Sequence, residues 1–397
     1  MGTLILGAVD AVGAVVAAAV AAATQAAQAT SEAVEFVAPR LDYHALAPEI
    51  ILTGVLVAVL LFDLFADETR KFLIPSIAAF GVLGAMLPLV SLALEGDDVR
   101  TMFGGAYVSD PYALVMKGLF LGAGYLVLLM SNRYIEEGDY HQGEYYFLLL
   151  SSLLGMVVMA SARDLVSIFV ALELLSIPAY LLAGWRKRDL KSNEASMKYY
   201  LLGVFASAVL LYGMSFLYGI AGSTRLVDIG ASLSDGELTG LQVIGVVFVI
   251  AGFGFKISAV PFHTWAPDTY EGAPTPVTAF LSVAAKAAGF VALVPLIFIA
   301  FPAADGVYQP FIWVLAALTM TVGNVIALRQ TNIVRMLAYS SVSQGGFILM
   351  PLAVMASGDA GPSALKAVVI YLLIYAFSNL GAFGVVAAVS RKTRSGS

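Results

Sequence analysis

Across 397 residues the chain is 60% hydrophobic and only 12% charged, against about 45 to 50% apolar and about 25% charged in ordinary globular proteins, so no water-soluble fold could hide its apolar surface. A net charge of −6 spread over the chain excludes a nucleic-acid partner, and the absence of cysteine excludes disulfides, thiolate-held iron–sulfur clusters and a thiol nucleophile. Long apolar runs joined by short polar loops instead describe one all-α, polytopic membrane helix bundle.

Residues 1–40 are Ala-rich and carry Asp10 with no basic residue before Arg40, so they lack the charged start of a secretory signal peptide. An extra helix, a disordered lead and a misassigned start codon all fit, and no function is assigned to this extension. From residue 41 on, uncharged runs near the roughly 20 residues that cross a bilayer place spans at about 47–65, 72–94, 112–131, 145–161, 164–184, 197–220, 240–272, 275–301, 309–328, 334–355 and 366–389. Eleven spans alternate the loops. One side then collects Arg70, Lys71, Arg133, Arg186, Lys187, Arg188, Lys191, Arg329, Arg335, Arg391, Lys392 and Arg394, while the other has only Arg40, Arg100, Arg163, Arg225 and Lys366. By the positive-inside rule the first side, with the C-terminal end, is expected to be cytoplasmic.

The seventh span, about 33 residues long, is too long for one straight crossing and contains Gly252, Gly254, Pro261 and Pro267. Pro261 removes a backbone donor and disfavours helix at Val260, so this span is expected to break into two half-helices. Such a break survives in lipid only where it lines a protein-enclosed or watery cavity. A proline kink without a role is the plain alternative.

Four charges interrupt apolar runs: Glu173 in ALELLSIPAY, Lys198 in ASMKYYLLG, Lys256 in GFGFKISAV and Lys286 in SVAAKAAGF. Each costs about 2.5 to 3.5 kcal/mol at a span centre, so each is a functional candidate by default. A buried ion pair fixing helix register is the alternative for any one of them, but three lysines cannot all be neutralised by one glutamate. Lys198 lies near a span end and could snorkel. A lysine in water holds its proton at about pKa 10.4, too tightly to hand it on near neutrality, and burial disfavours the charged form. A carboxylate moving toward or away from it adds Coulomb energies of several kcal/mol, and Glu173 with Lys256 is the candidate switch. His44 and His141 read as loop residues. His263, seven positions after Lys256, reads as a proton relay or as a histidine bonded to backbone freed at the break. No phosphate loop, nucleophile elbow or metal-ligand cluster is present, and Asp268 and Glu271 read as an interfacial turn.

The strings GFGFKISAVPFHTWAPDTYEGAPTPVTAFLSVAAKAAGF, ALELLSIPAYLLAGW and NEASMKYYLLGVFASA together resemble the proton-translocating, antiporter-like membrane subunits of respiratory complex I. The opening PEIILTGVLVAVLLFDLF resembles the N-type subunit of bacterial NADH-quinone oxidoreductase more than the L and M types, and the resemblance covers about 41–397. It implies proton-translocating roles for Glu173, Lys198, Lys256, Lys286 and His263. It also implies an antiporter-like fold of inverted repeats, here a first repeat at about 145–301 and a partial second at about 309–389, faintly echoed as MKYYLLGVFASA against LKAVVIYLLIYAFSNLG. No cofactor is implied in this chain. NADH, FMN, iron–sulfur clusters and quinone belong to partner subunits, and the chain's partners are the other membrane subunits and the bilayer. Family members carry about three further spans with a twelfth-span lysine, so the ending SRKTRSGS is expected to mark a truncated product. Two rivals stay open: a subunit of a multi-subunit sodium/proton antiporter, and a stand-alone secondary transporter.

Overall fold

The computed structural model describes residues 41–393 other than 97, 138–141 and 356–359. The N-terminal extension and His141 therefore lie outside the described residues. The fold is a bundle of thirteen helices with one β-hairpin. Helices α1 (Ala47–Phe65) and α2 (Ile74–Glu95) precede strands β1 (Arg100–Met102) and β2 (Tyr107–Ser109), which pair antiparallel with Arg100 opposite Ser109. There follow α3 (Pro111–Glu137), α4 (Gln142–Ser161), α5 (Leu165–Ala183), α6 (Leu190–Ala221), a short α7 (Leu226–Leu233), α8 (Gly240–Lys256) and α9 (Trp265–Gly272). The last four are α10 (Thr275–Ala300), α11 (Asp305–Ala327), α12 (Ile333–Leu352) and α13 (Ala360–Thr393).

Nine of these helices among the described residues are long and apolar enough to cross a membrane. The other two of the eleven expected spans are the broken pair α8–α9, whose first half has only 17 residues, and α12, whose Ser340, Ser341, Ser343 and Gln344 dilute its hydropathy. Leu64, Phe65, Phe80, Leu94, Phe205 and Phe377 stand outward and exposed. An apolar exterior on this scale belongs to a chain whose solvent is lipid. At the centre lies α10, with 89% of its apolar window buried, packed between α3, α5, α8 and α13.

Helix ends carry local signals. Asp164 accepts from the amides of Val166 and Ser167, Asn332 from those of Val334 and Arg335, and Thr239 forms a capping box with Gln242. Gly222, at φ 64°, adopts the left-handed conformation that ends α6. The turns before α1, before α3, after α4 and after α6 gather at one end of the bundle. There Arg163 donates its amide to the Ala106 carbonyl (2.8 Å), Tyr107 bridges to Ala162, and Asp164 bridges to Arg225. By helix alternation the basic loops around Lys71, Arg186 and Arg335 lie at the other end.

The break after Lys256 is a built feature. Four freed backbone groups find partners at once: the Val260 amide donates to Thr319 Oγ1 of α11 (2.9 Å), the Phe255 carbonyl accepts from Trp265 Nε1 (2.9 Å), and the Ala259 amide reaches the Gly254 carbonyl (2.8 Å). These contacts do in lipid what water would do in solution. On the neighbouring helix a π-turn over Leu281–Ala285 directly precedes Lys286, the kind of irregularity found at functional sites.

Candidate functional site

Three of the singled-out charges lie in one neighbourhood of the bundle, Lys256 and Lys286 buried and Glu173 half-buried. Lys256 ends α8 and is 4% exposed; its Nζ donates to Ser176 Oγ of α5 at 2.7 Å and stands 5.8 Å from the centre of the Tyr199 ring. Ser176 lies one turn beyond Glu173, whose Oε1 accepts from Ser207 Oγ of α6 at 2.6 Å. Glu173 and Lys256 thus share a neighbourhood through consecutive turns of α5 without direct contact.

Lys286, on α10, is 1% exposed. Its Nζ donates to the Ser341 carbonyl at 2.7 Å and to Ser341 Oγ at 2.5 Å. The cluster continues onto α13: Tyr375 OH donates to Ser341 Oγ (2.7 Å) or to the Ser282 carbonyl (2.9 Å), and Asn379 Nδ2 reaches Ser282 Oγ (2.8 Å) and Tyr375 OH (3.1 Å). The two lysines are joined by close packing. A Cβ on Gly289, one turn after Lys286, would sit 3.3 Å from Lys256 Cβ and Cγ and 2.8 Å from Ile257 Cγ2. Only glycine lets α10 lie directly against the lysine stem.

Among the described residues neither Lys256 nor Lys286 forms an ion pair within 4.0 Å. A buried ammonium held by serine oxygens and a carbonyl has hydrogen bonds but no adjoining ion-pair partner to offset its burial. Such a group can give up and retake a proton when a nearby charge changes.

Lys198 belongs elsewhere. Its side chain is 40% exposed and pairs with Glu194 and Asp268, both at 2.6 Å. Arg335 pairs with Asp268 and Glu271 at 2.8 Å, and Lys191 with Glu271 at 3.2 Å, so Asp268 and Glu271 sit in a charged network on α6, α9 and α12 at the end of the bundle with the basic loops. Sequence reasoning grouped Lys198 with the buried lysines because its neighbours are apolar. It lies on the third turn of α6, near the span end, and the side chain reaches out to the ion network as snorkelling predicts. Exposed pairs of this kind contribute about 1 kcal/mol or less. Lys198→Ala is accordingly expected to leave assembly intact and slow proton flux only a few-fold, an effect that added salt should reproduce in the parent. Loss of flux as deep as in a Lys256 variant would place Lys198 with the buried lysines.

His263 lies in the break, partly buried, with Nδ1 lacking a hydrogen-bond partner and its ring 6.4 Å from Tyr339. The structure does not join it to Lys256 or Lys286 by a hydrogen bond among the described residues. His44, expected to be a free loop residue, faces Glu95 at 3.4 Å. No three His, Asp or Glu side chains gather as a metal site among the described residues.

A buried ion pair escaped the sequence reading. Lys117, on α3, is 0% exposed and pairs with Glu49 of α1 at 2.6 Å. The run YALVMKGLF carries the same signal as the other three, a lone lysine in an apolar helix. Glu49 lies next to Pro48 at a span start and reads as interfacial.

Residues 162–397 match the family model described as NADH:quinone oxidoreductase/Mrp antiporter, TM. The chain is 42% identical over 354 residues to NADH-quinone oxidoreductase subunit N of Trichlorobacter lovleyi, covering 89% of this chain and 71% of that relative. It is similar in structure to a chain of respiratory complex I from Thermus thermophilus, with TM-score 0.69, 33% identity and coverage of 86% and 70%. A chain of the Mrp complex from a Dietzia species superposes with TM-score 0.74 at 21% identity, covering 88% of this chain and 65% of that one, a likeness of fold alone.

Proposed function

The chain belongs to the NADH:quinone oxidoreductase/Mrp antiporter membrane family, and we propose that it is a proton-translocating membrane subunit of the N type in an NADH-quinone oxidoreductase. In this reading electron transfer from NADH to quinone takes place in partner subunits, where FMN, iron–sulfur clusters and quinone are bound, and this chain takes part in the coupled pumping. The relatives' names support the complex, and one observation supports the pumping. Two buried lysines one helical turn of packing apart, each held by serine oxygens and neither ion-paired among the described residues, are arranged as successive proton holders.

In the mechanism Glu173 sets the charge near Lys256. When Glu173 is ionised, the ammonium form of Lys256 is favoured; when the carboxylate is protonated or drawn toward Ser207, Lys256 releases its proton. Lys286 is the next proton holder, and the Ser341 and Tyr375 hydroxyls carry the proton by reorientation toward α13, where Asn379 donates to Tyr375. Lys198, in the charged network, gathers protons at the end with the basic loops, and His263 serves the break between α8 and α9. We place that end on the cytoplasmic side of a bacterial inner membrane, following the loop charge asymmetry. The repeats proposed at 145–301 and 309–389 put Lys256 in the first and the Tyr375 cluster in the second.

Purification of the tagged chain from native membranes, followed by reconstitution, tests this reading. The expected result is co-purification with proteins absorbing as flavin and iron–sulfur centres, and NADH-driven proton uptake into the vesicles. Partners without redox centres, together with sodium-dependent proton flux, would assign the chain to a multi-subunit antiporter instead.

A further inference from the structure

A second buried polar site lies at the opposite end of the bundle from the basic loops, built from α1, the β-hairpin and α3. Lys117 Nζ is 2.6 Å from Glu49 Oε1 and donates to the Tyr107 hydroxyl at 2.7 Å. Tyr107 OH in turn is 3.0 Å from Glu49 Oε1 and 3.0 Å from the Ala45 carbonyl. Oε1 therefore faces both the lysine and the tyrosine. Glu49 Oε2, equally buried, has no hydrogen-bond donor among the described residues. Ser161 Oγ, next to the Ala162 that bridges Tyr107, is also buried and lies beside the Tyr107 hydroxyl. The other charges around this end are already matched: Arg163 with Asp110 at 2.9 Å, and Arg100 with Asp42 at 2.9 Å.

An ion pair serving only to fix helix register needs both carboxylate oxygens satisfied, because a buried acceptor left without a donor costs free energy. Here one oxygen of the carboxylate is buried with no donor among the described residues. The pair is also tied to the lysine line. Tyr112, five residues before Lys117, donates its hydroxyl to the Val291 carbonyl of α10 at 3.2 Å, and Val291 lies five residues beyond Lys286.

We propose that Glu49 and Lys117 form a proton-exchange site, the step by which protons leave the bundle at this end. In that step one N–H bond of the Lys117 ammonium breaks and one O–H bond forms on Glu49, so an ion pair becomes an amine and a carboxylic acid with no change in net charge. Turning the acid presents its proton at the open Oε2 position toward the loops and the medium. Loss of that proton leaves the carboxylate, and the Lys117 amine takes its next proton from the bundle interior. Tyr107 donates to whichever carboxyl oxygen stands on the lysine side. The inference rests on the proton-translocating reading above and adds to it a site outside the line of Glu173, Lys256 and Lys286.

The test uses the whole native complex in vesicles, comparing Glu49→Gln/Lys117→Met with Glu173→Gln and the parent. The double variant keeps the side-chain volumes and leaves no unpaired buried charge, so it is expected to assemble. It should lose the same share of protons moved per electron as Glu173→Gln loses. A parental ratio in the double variant alongside a lowered ratio in Glu173→Gln would overturn this inference and leave the proposed function standing; parental ratios in both would sink the two together. Should the double variant fail to assemble, Tyr107→Phe decides, since it removes one donor and no charge. Infrared difference spectra between acid and alkaline complex should then show the carboxylic-acid carbonyl band of Glu49 displaced from its parental position. An unmoved band would mean that Glu49 does not exchange a proton.

Discussion

Glu173→Gln is expected to abolish most proton translocation through this subunit while the protein folds and assembles. The substitution keeps the shape of the side chain and removes its charge. Ser207 Oγ, which donates to Oε1 at 2.6 Å, can donate as well to the amide carbonyl. The packing of α5 on α6 is therefore retained, and the stability change should stay within about 1 kcal/mol, the net worth of one such hydrogen bond. The proton step is different. Ser176, one turn on, holds Lys256, so Lys256 feels the charge of Glu173 through low-dielectric protein. With that charge gone nothing alternates, and Lys256 stays in a single protonation state. A proton-transferring group is typically worth on the order of 10²-fold or more in rate, and a loss of that size in flux through this chain is expected. Where pumping and electron transfer are tightly coupled, quinone reduction slows with it. Simultaneous measurement of vesicle acidification and NADH oxidation checks this: equal protons per electron in variant and parent would remove Glu173 from the mechanism.

How far these features could be read from the sequence depends on whether a residue's own helix determines its surroundings. The membrane spans could be read because burial in lipid demands some 20 apolar residues whatever the neighbours are. The broken helix could be read because Pro261 acts on its own backbone. Its stabilisation by Thr319 of α11 and Trp265 could not, since both contacts depend on how chains far apart in sequence pack. Lys256 and Lys286 were recognisable as lone charges in apolar runs, yet Lys198 gave the same signal and turned outward to Asp268 and Glu194. The difference lies in α9, which carries Asp268 to the side of α6. Ser176 and Ser341, the direct partners of the two lysines, look like ordinary helix serines. Lys117 was legible in YALVMKGLF and its partner Glu49 was not, because only the fold brings α1 beside α3. The weak echo between MKYYLLGVFASA and LKAVVIYLLIYAFSNLG is a likeness of sequence. Ser207 follows Lys198, and Tyr375 follows Lys366, by the same interval in sequence, and their hydroxyls bond to the half-buried Glu173 in one case and to the Ser341 partner of Lys286 in the other.

Lys256 separates a proton carrier from a fixed positive charge, and two substitutions together make the separation. Lys256→Met keeps most of the stem that packs against Gly289 and removes the ammonium. Because that ammonium is buried without an ion-pair partner among the described residues, its removal should stabilise the folded protein, by roughly 1 kcal/mol or more on the scale known for replacing buried charges with apolar groups. Ser176 Oγ keeps its bond to the Leu172 carbonyl in either case. Proton flux through the chain should nevertheless fall on the order of 10²-fold, since the relay has lost its holder. Rising stability with falling activity is the mark of a residue kept for function against its own cost. Lys256→Arg retains the charge, and a guanidinium, with a pKa above about 12, does not release its proton near neutrality. A carrier therefore fails in both variants. A fixed charge needed only to orient Glu173 and Ser176 would fail in the Met variant and survive in the Arg variant, provided the larger side chain fits against Gly289. Thermal unfolding and proton flux measured on both purified complexes read the two quantities separately. Full flux with Met at this position would remove Lys256 from the path altogether, and near-parental flux with Arg would reduce its role to electrostatics.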